Sequence, residues 1–120
     1  MNTMQVPDTV AQRVQELGGL DNISKKAINQ KRIKDLSQFF HAASDPIRVK
    51  ILCLLDISAL CVCLIKEILD ISDSKLSYHL STLKSAGLIS DQRQKNFFIY
   101  QITPLGKRLL NFRPHSNNLD

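Results

Sequence analysis

The chain has 120 residues, with 16 Lys and Arg against 11 Asp and Glu for a net charge of +5. This length accommodates one ordinary core, and 43% hydrophobic residues with only four Gly and four Pro exclude a disordered or fibrous chain. No apolar stretch reaches the roughly 20 residues that a bilayer demands, and no charged start precedes an apolar run; a cytoplasmic protein without membrane attachment is expected.

Residues 1–30 show weak helical spacing at Val10, Val14 and Leu17, stopped by Gly18-Gly19. This segment is expected to form a short helix and a flexible arm, Asp21 to Lys31, as a possible contributor to a dimer interface. From Lys31 the period sharpens: Ile33, Leu36, Phe39, Phe40 and Ala43 share one helical face. Asp45-Pro46 reads as a fresh start, with Asp45 as N-cap and Pro46 in the first turn. Ile47, Ile51, Leu52, Leu54 and Leu55 make the helix that follows apolar over most of its surface, which suits the centre of a core. A short third helix is expected over Leu60 to Leu69, then a turn at Asp70–Ser72. A fourth helix, capped by Ser72, runs from Asp73 to about Ala86 and ends at a left-handed Gly87.

Beyond Gly87 the period falls to two. Leu88-Ile89 and Phe97 to Ile102 read as strands around a polar bend, Gln92 to Asn96. Thr103-Pro104 opens a last helix with Leu105, Leu109 and Leu110 on one side, and the tail 113–120 is expected to fray. The fold class is mostly α with a small β-hairpin. A short helix, a turn, a longer helix and a hairpin make a winged helix-turn-helix spanning 31–112.

The fourth helix has two contrasting faces. At about 100° per residue, Leu80, Leu83 and Gly87 fall within about 40° of Leu76, a buried stripe, while Ser74, Tyr78, Ser81 and Ser85 lie about 140–200° away. Lys75, Ser77, Thr82 and Lys84 flank the outer face, and no acid follows Asp73. Small hydroxyl residues let a helix enter the major groove, while Lys and Tyr reach base edges or phosphates. The candidate DNA-contacting residues are therefore Ser74, Lys75, Ser77, Tyr78, Ser81 and Lys84, with Arg93 and Lys95 at the tip of the wing. Residues 73–112 carry six bases against two acids, a surplus suited to a polyanion, although charge alone would equally suit a solvated face. His79, at the edge of the buried stripe, reads as a packed, hydrogen-bonded histidine.

Cys53, Cys61 and Cys63 cannot all pair, and reduced thiols are expected. Thiolates suit zinc, copper(I) and other thiophilic ions. On an intact helix Cys61 and Cys63 would point about 200° apart, so joint chelation needs an irregular first turn. The other reading of each cysteine is a small buried hydrophobe.

Ala43-Ser44-Asp45-Pro46-Ile47-Arg48, Leu60-Cys61-Val62-Cys63, Ser74-Lys75-Leu76-Ser77-Tyr78-His79-Leu80, Leu83-Lys84-Ser85-Ala86-Gly87-Leu88 and a wing ending at Tyr100 together give the chain its character. Over roughly Ile33 to Leu110 it resembles the ArsR/SmtB family of winged helix-turn-helix repressors. The resemblance implies a homodimer built from the terminal helices and an inverted-repeat operator in double-stranded DNA. It also implies release when a metal or metalloid effector (arsenite, Cd²⁺ or Zn²⁺) binds Cys61 and Cys63. Arsenic-responsive relatives often carry a third Cys three residues after the second, where this chain has Lys66. Cys53, the N-terminal arm or another ligand would have to complete such a site. Relatives with a zinc site on the last helix need Asp/His and His/Glu pairs, which Leu105 to Phe112 does not provide; His115 stands alone. At the wing tip Lys95-Asn96 replaces the usual Gly, and Asn96 is expected to tolerate the positive φ.

A repressor of the same architecture that responds to thiol oxidation, or to no effector, is the alternative. A thiol enzyme using Cys61 or Cys63 with His41 or His79 is disfavoured, because Cys-x-Cys is not the redox spacing and no phosphate cradle or carboxylate pair accompanies it.

Overall fold

The computed structural model describes residues 5–112. Seven helices and three short strands occur among them: α1 (Asp8–Glu16), α2 (Leu20–Ala27), α3 (Gln30–Ala43), α4 (Pro46–Ile57), β1 (Leu60–Cys61), α5 (Val62–Leu69), α6 (Asp73–Ser85), β2 (Ile89–Gln94), β3 (Phe97–Ile102) and α7 (Pro104–Leu110). None of these helices is long and apolar enough to cross a membrane. The described residues divide into two compact units that meet between Ser37 and Gln38, within α3. The expected tail 113–120, with His115, lies outside the described residues.

In the first unit, α1 ends at Glu16 with Leu17 as its C-cap, in line with the Val10, Val14 and Leu17 spacing. Gly18 and Gly19 then take φ of 92° and 90°, backbone that only glycine adopts without strain. The segment from Asp21 is not an arm. The double-glycine turn lets the chain re-enter a helix at Leu20, and Asn22 Nδ2 donates to the Leu17 carbonyl across the turn at 2.6 Å. Neither α1 nor α2 buries a residue.

The second unit is built around α4. The Asp45 side chain accepts hydrogen bonds from the backbone N–H groups of Ile47 and Arg48 at 2.7 and 3.4 Å, and Pro46 occupies the first turn. Burial disfavours the Asp45 charge, yet those two N–H groups, with His79 and Arg48 close by, hold its carboxyl below the usual range. Ile51 and Leu52 of α4, Ile65 of α5, Leu76 and Leu83 of α6, and Leu88 and Ile89 entering the wing are fully buried. Each such side chain stabilises the fold by about 1.5–3 kcal/mol relative to its exposed state.

The turn between α5 and α6 is short because Asp70 adopts a left-handed conformation (φ 53°) and the Ser72 hydroxyl accepts from the Lys75 N–H at 3.2 Å. Gly87 ends α6 at φ 75°, as expected. Thr103 then joins three elements. Its hydroxyl donates to the Gly87 carbonyl at 2.6 Å and accepts from the Gly106 N–H at 3.1 Å, closing the base of the hairpin and capping α7.

Two strand expectations change. The hairpin bend is tighter than Gln92 to Asn96: β2 and β3 pair from Ile89↔Ile102 to Gln94↔Phe97, which leaves a two-residue turn at Lys95-Asn96. Lys95, not Asn96, takes the positive φ of 56°. The third helix starts later than Leu60, because Leu60 and Cys61 pair with Tyr100 and Ile99 of β3 and make the hairpin a three-stranded sheet of order β1-β3-β2. Backbone groups that would have started a helix are taken by β3. The architecture is a winged helix-turn-helix, with α5 and α6 as the helix pair and β2-β3 as the wing.

Candidate nucleic-acid interface and thiol site

Helix α6 presents the two faces its sequence implies. Leu76, His79, Leu80 and Leu83 are buried, while Ser74, Lys75, Ser77, Tyr78, Ser81 and Lys84 are exposed along the opposite side. Tyr78 is 57% exposed, so its ring is open to a partner. The hydroxyl of Thr82 turns inward to the Tyr78 carbonyl at 3.0 Å, which keeps it off the outer face.

The basic candidates differ in availability. Among the described residues Lys75 forms no ion pair, but Lys84 reaches across to β2 and pairs with Asp91 at 2.9 Å. That hydrogen bond, with the Asp91 charge behind it, raises the Lys84 pKa. On the wing Arg93 donates to the Lys95 carbonyl at 3.1 Å, and its guanidinium lies 5.8 Å from the centre of the Phe98 ring. Arg93 therefore braces the turn from which Lys95 projects.

Behind this face lies a contact set that the sequence reasoning credited only in part. Arg48 of α4 is 3% exposed and His79 of α6 is 4% exposed. They meet at 2.9 Å between Nη1 and Nδ1, as the expectation of a packed, hydrogen-bonded His79 requires. In the sequence Arg48 stands out only as part of the Asp45-Pro46-Ile47-Arg48 motif, yet 48, 51, 52 and 55 have the i, i+3, i+4, i+7 spacing of a buried stripe.

The cysteines are arranged differently from a helical pair. Cys61 is extended (φ −75°, ψ 159°) and Cys63 lies in the first turn of α5. This junction brings their Cα atoms to 5.5 Å and joins the two sulfurs in a disulfide, where reduced thiols were expected. The irregular first turn needed for both sulfurs to reach one point is thus built into the fold. A cavity of about 390 Å³ beside the pair is also bordered by Lys66, Asp73 and the wing residues Asn96, Phe97 and Phe98. Lys66 sits 2.8 Å from the Asp73 carboxylate and ties the helix after the pair to the first residue of α6.

Cys53 is not part of this site. It is exposed on α4, neither core nor ligand to the pair, because its position falls outside the buried stripe of that helix. Among the described residues no group of three or more His, Cys, Asp or Glu gathers where a metal ion could sit.

Residues 45–91, the span from the α4 cap to the Lys84–Asp91 pair, match the family described as bacterial regulatory protein, arsR family. A putative arsenical resistance operon repressor ArsR of Halobacterium salinarum is 36% identical over 105 residues, covering 86% of this chain and 78% of that protein. The chain belongs to the ArsR family.

The family consists of DNA-binding transcriptional regulators, and this ArsR-family chain is a winged helix-turn-helix repressor of that kind. A cadmium resistance transcriptional regulatory protein CadC homolog of Staphylococcus aureus is 32% identical, covering 68% of each chain. Among solved structures, Rv0081 of Mycobacterium tuberculosis is similar with a TM-score of 0.62 at 30% identity, covering 68% of this chain and 84% of that one. The homodimeric winged helix-turn-helix domain Mb0332 of Mycobacterium bovis shares the fold, with a TM-score of 0.61 at 22% identity, covering 70% of this chain and 81% of that one.

Proposed function

We propose that this ArsR-family repressor binds an inverted-repeat operator in double-stranded DNA as a homodimer and leaves it when a thiophilic metal or metalloid is taken by Cys61 and Cys63. In this reading Ser74, Lys75, Ser77, Tyr78 and Ser81 enter the major groove from α6. Lys95 touches a neighbouring phosphate, while Arg93 holds the wing and Lys84 contributes less. The observation that carries it is the exposed hydroxyl-and-basic face of α6, from Ser74 to Lys84, set against a buried leucine stripe. The homodimer is supported by an apolar surface at Phe39, Phe40, Leu105, Leu109 and Phe112 around a cavity of about 360 Å³. Phe40 and Phe112 are 63% and 69% exposed there. In this reading the protein works in the cytoplasm.

Release is supported by the convergence of two soft donors in the turn that starts α5, next to the reading helix. Arsenite, Cd²⁺ and Zn²⁺ are the effectors to test, and relatives named for arsenical and cadmium resistance favour the first two. The experiment is a titration of the reduced protein on operator DNA, following thiolate charge-transfer absorbance and DNA release together. Both signals are expected to saturate at one ion per pair and to vanish in Cys61→Ser and Cys63→Ser; retention in those variants overturns the sensing role.

A second reading is favoured by the disulfide itself. Here two thiols give two electrons and two protons to a peroxide, which becomes water, and the closed pair alters DNA binding. With metal chelated, release by peroxide and recovery with reductant would favour this reading over the first.

A further inference from the structure

Arg48 is a buried cation, and among the described residues no carboxylate forms an ion pair with it. Its donors are satisfied otherwise. Nε donates to the Ala42 carbonyl at 2.9 Å and Nη2 to the His41 carbonyl at 3.0 Å, both in the last turn of α3. The His41 carbonyl also accepts from the Ser44 N–H at 3.2 Å and the Ser44 hydroxyl at 2.8 Å, and a positive charge at this helix end is favoured by the helix dipole. The remaining arm, Nη1, faces His79 Nδ1. A guanidinium has donors and no acceptor, so Nδ1 must accept and the ring proton must reside on Nε2. The same guanidinium carbon lies 5.9 Å from the ring centre of Tyr78, the large exposed side chain of the reading face.

The Arg48–His79 hydrogen bond thus joins α4 to the helix that meets DNA, and two more tie Arg48 to the end of α3. We propose that Arg48 and His79 are positioning residues: their hydrogen bond holds α6 at the angle DNA binding requires, and a proton on His79 Nδ1 breaks it and releases the DNA. A protonated ring would direct an N–H at an N–H, two donors face to face. This rests on the DNA-reading role assigned to α6 above.

The groups around His79 set the direction of its titration. Burial is the largest influence and lowers its pKa. Asp45, at the α4 cap, acts the other way; Arg48 from α4 and Lys75 from α6 itself lower it further. The Tyr78 ring packs edge-on 5.3 Å from the imidazole, and α3 contributes carbonyls through Arg48. At neutral pH the ring is neutral and the latch is closed; the proton enters only below the ordinary 6.5.

The test uses the full reduced chain and a 30-base-pair duplex that it selects from a random pool at pH 7.5. Affinity is measured by fluorescence anisotropy from pH 7.5 to 5, with circular dichroism to confirm folding. Protonation of other histidines adds positive charge and would strengthen binding to a polyanion. The latch makes the opposite prediction: affinity falls by about tenfold or more as His79 titrates, the worth of one hydrogen bond to a charged group. His79→Asn keeps an acceptor near the Nδ1 position and should bind at pH 7.5 with no loss on acidification. His79→Leu should bind about tenfold more weakly at every pH. Wild-type affinity that rises on acidification, or a His79→Asn profile that follows the wild type, overturns the proposal. Nitrogen NMR of the imidazole decides independently of DNA: a proton on Nδ1 at pH 7.5 overturns it. Failure to select any duplex overturns the DNA-reading role instead, leaving the tautomer result to stand by itself.

Discussion

The Lys84 ammonium lies 2.9 Å from the Asp91 carboxylate, which joins the last turn of α6 to the wing strand β2. A lysine neutralised by its own protein releases fewer DNA counterions than a free one. Asp91→Asn should therefore tighten DNA binding and steepen the dependence of affinity on salt by about one unit of slope. Lys84→Ala, conversely, should cost less than Lys75→Ala. Anisotropy titrations across a salt series check both, and an Asp91→Asn protein weaker than the wild type would contradict the account.

Lys75 and Tyr78 are both exposed on the reading face, and the loss of either should weaken specific binding by about 1–3 kcal/mol if it touches a base. Lys95 combines charge with an unfavourable backbone, φ 56°. Lys95→Gly should stabilise the fold by up to about 1 kcal/mol while weakening binding to all duplex sequences alike. Urea denaturation and competition against random DNA separate the two effects.

Phe40 is 63% exposed in the single chain, beside Leu105 and Phe112. Phe40→Glu should shift the protein from dimer to monomer in sedimentation velocity. It should reduce operator affinity by far more than half-site affinity, since two linked half-sites bind as one unit.

Gly106 is chosen by space rather than by backbone angle. A Cβ there would run into the Leu88 carbonyl and come within 2.7 Å of Ile102 Cγ1. Gly106→Ala should destabilise the fold by about 1–3 kcal/mol, as overpacking does, with urea denaturation as the measurement.

Acid should destabilise the protein through His79 as well as weaken its binding. Its pKa is lower in the folded protein than the ordinary 6.5, so the unfolded chain takes the proton first. The contribution of His79 is complete above pH 6.5 and is lost as pH falls from there through the lowered folded value. Urea midpoints from pH 7.5 to 5 should decline for the wild type, and less steeply for His79→Asn.

Periodicity carried most of this fold because most of its elements are long enough to repeat. The stripe Leu76, Leu80, Leu83 and the caps Asp45, Ser72 and Thr103 are local signals, and the structure uses each as its chemistry implies. Leu60-Cys61 could not be read that way. Two residues have no period, and their extended form is imposed by Tyr100 and Ile99, distant in sequence. α2 was hidden because its helical start depends on how Gly18 and Gly19 turn. On the reading face, burial and exposure are legible from spacing alone, whereas the pairing of Lys84 with Asp91 joins two elements and is set by how α6 packs on β2.

The pairing of Cys61 with Ile99 has one last implication. The residue best placed to meet a chemical signal is, by its backbone, an edge of the same sheet that carries the wing. Grafting a relative's wing to redirect the protein to another promoter would also rebuild the cradle of that cysteine. Target choice and chemical responsiveness are therefore expected to change together in such chimaeras, and designers would have to exchange the two as a single piece.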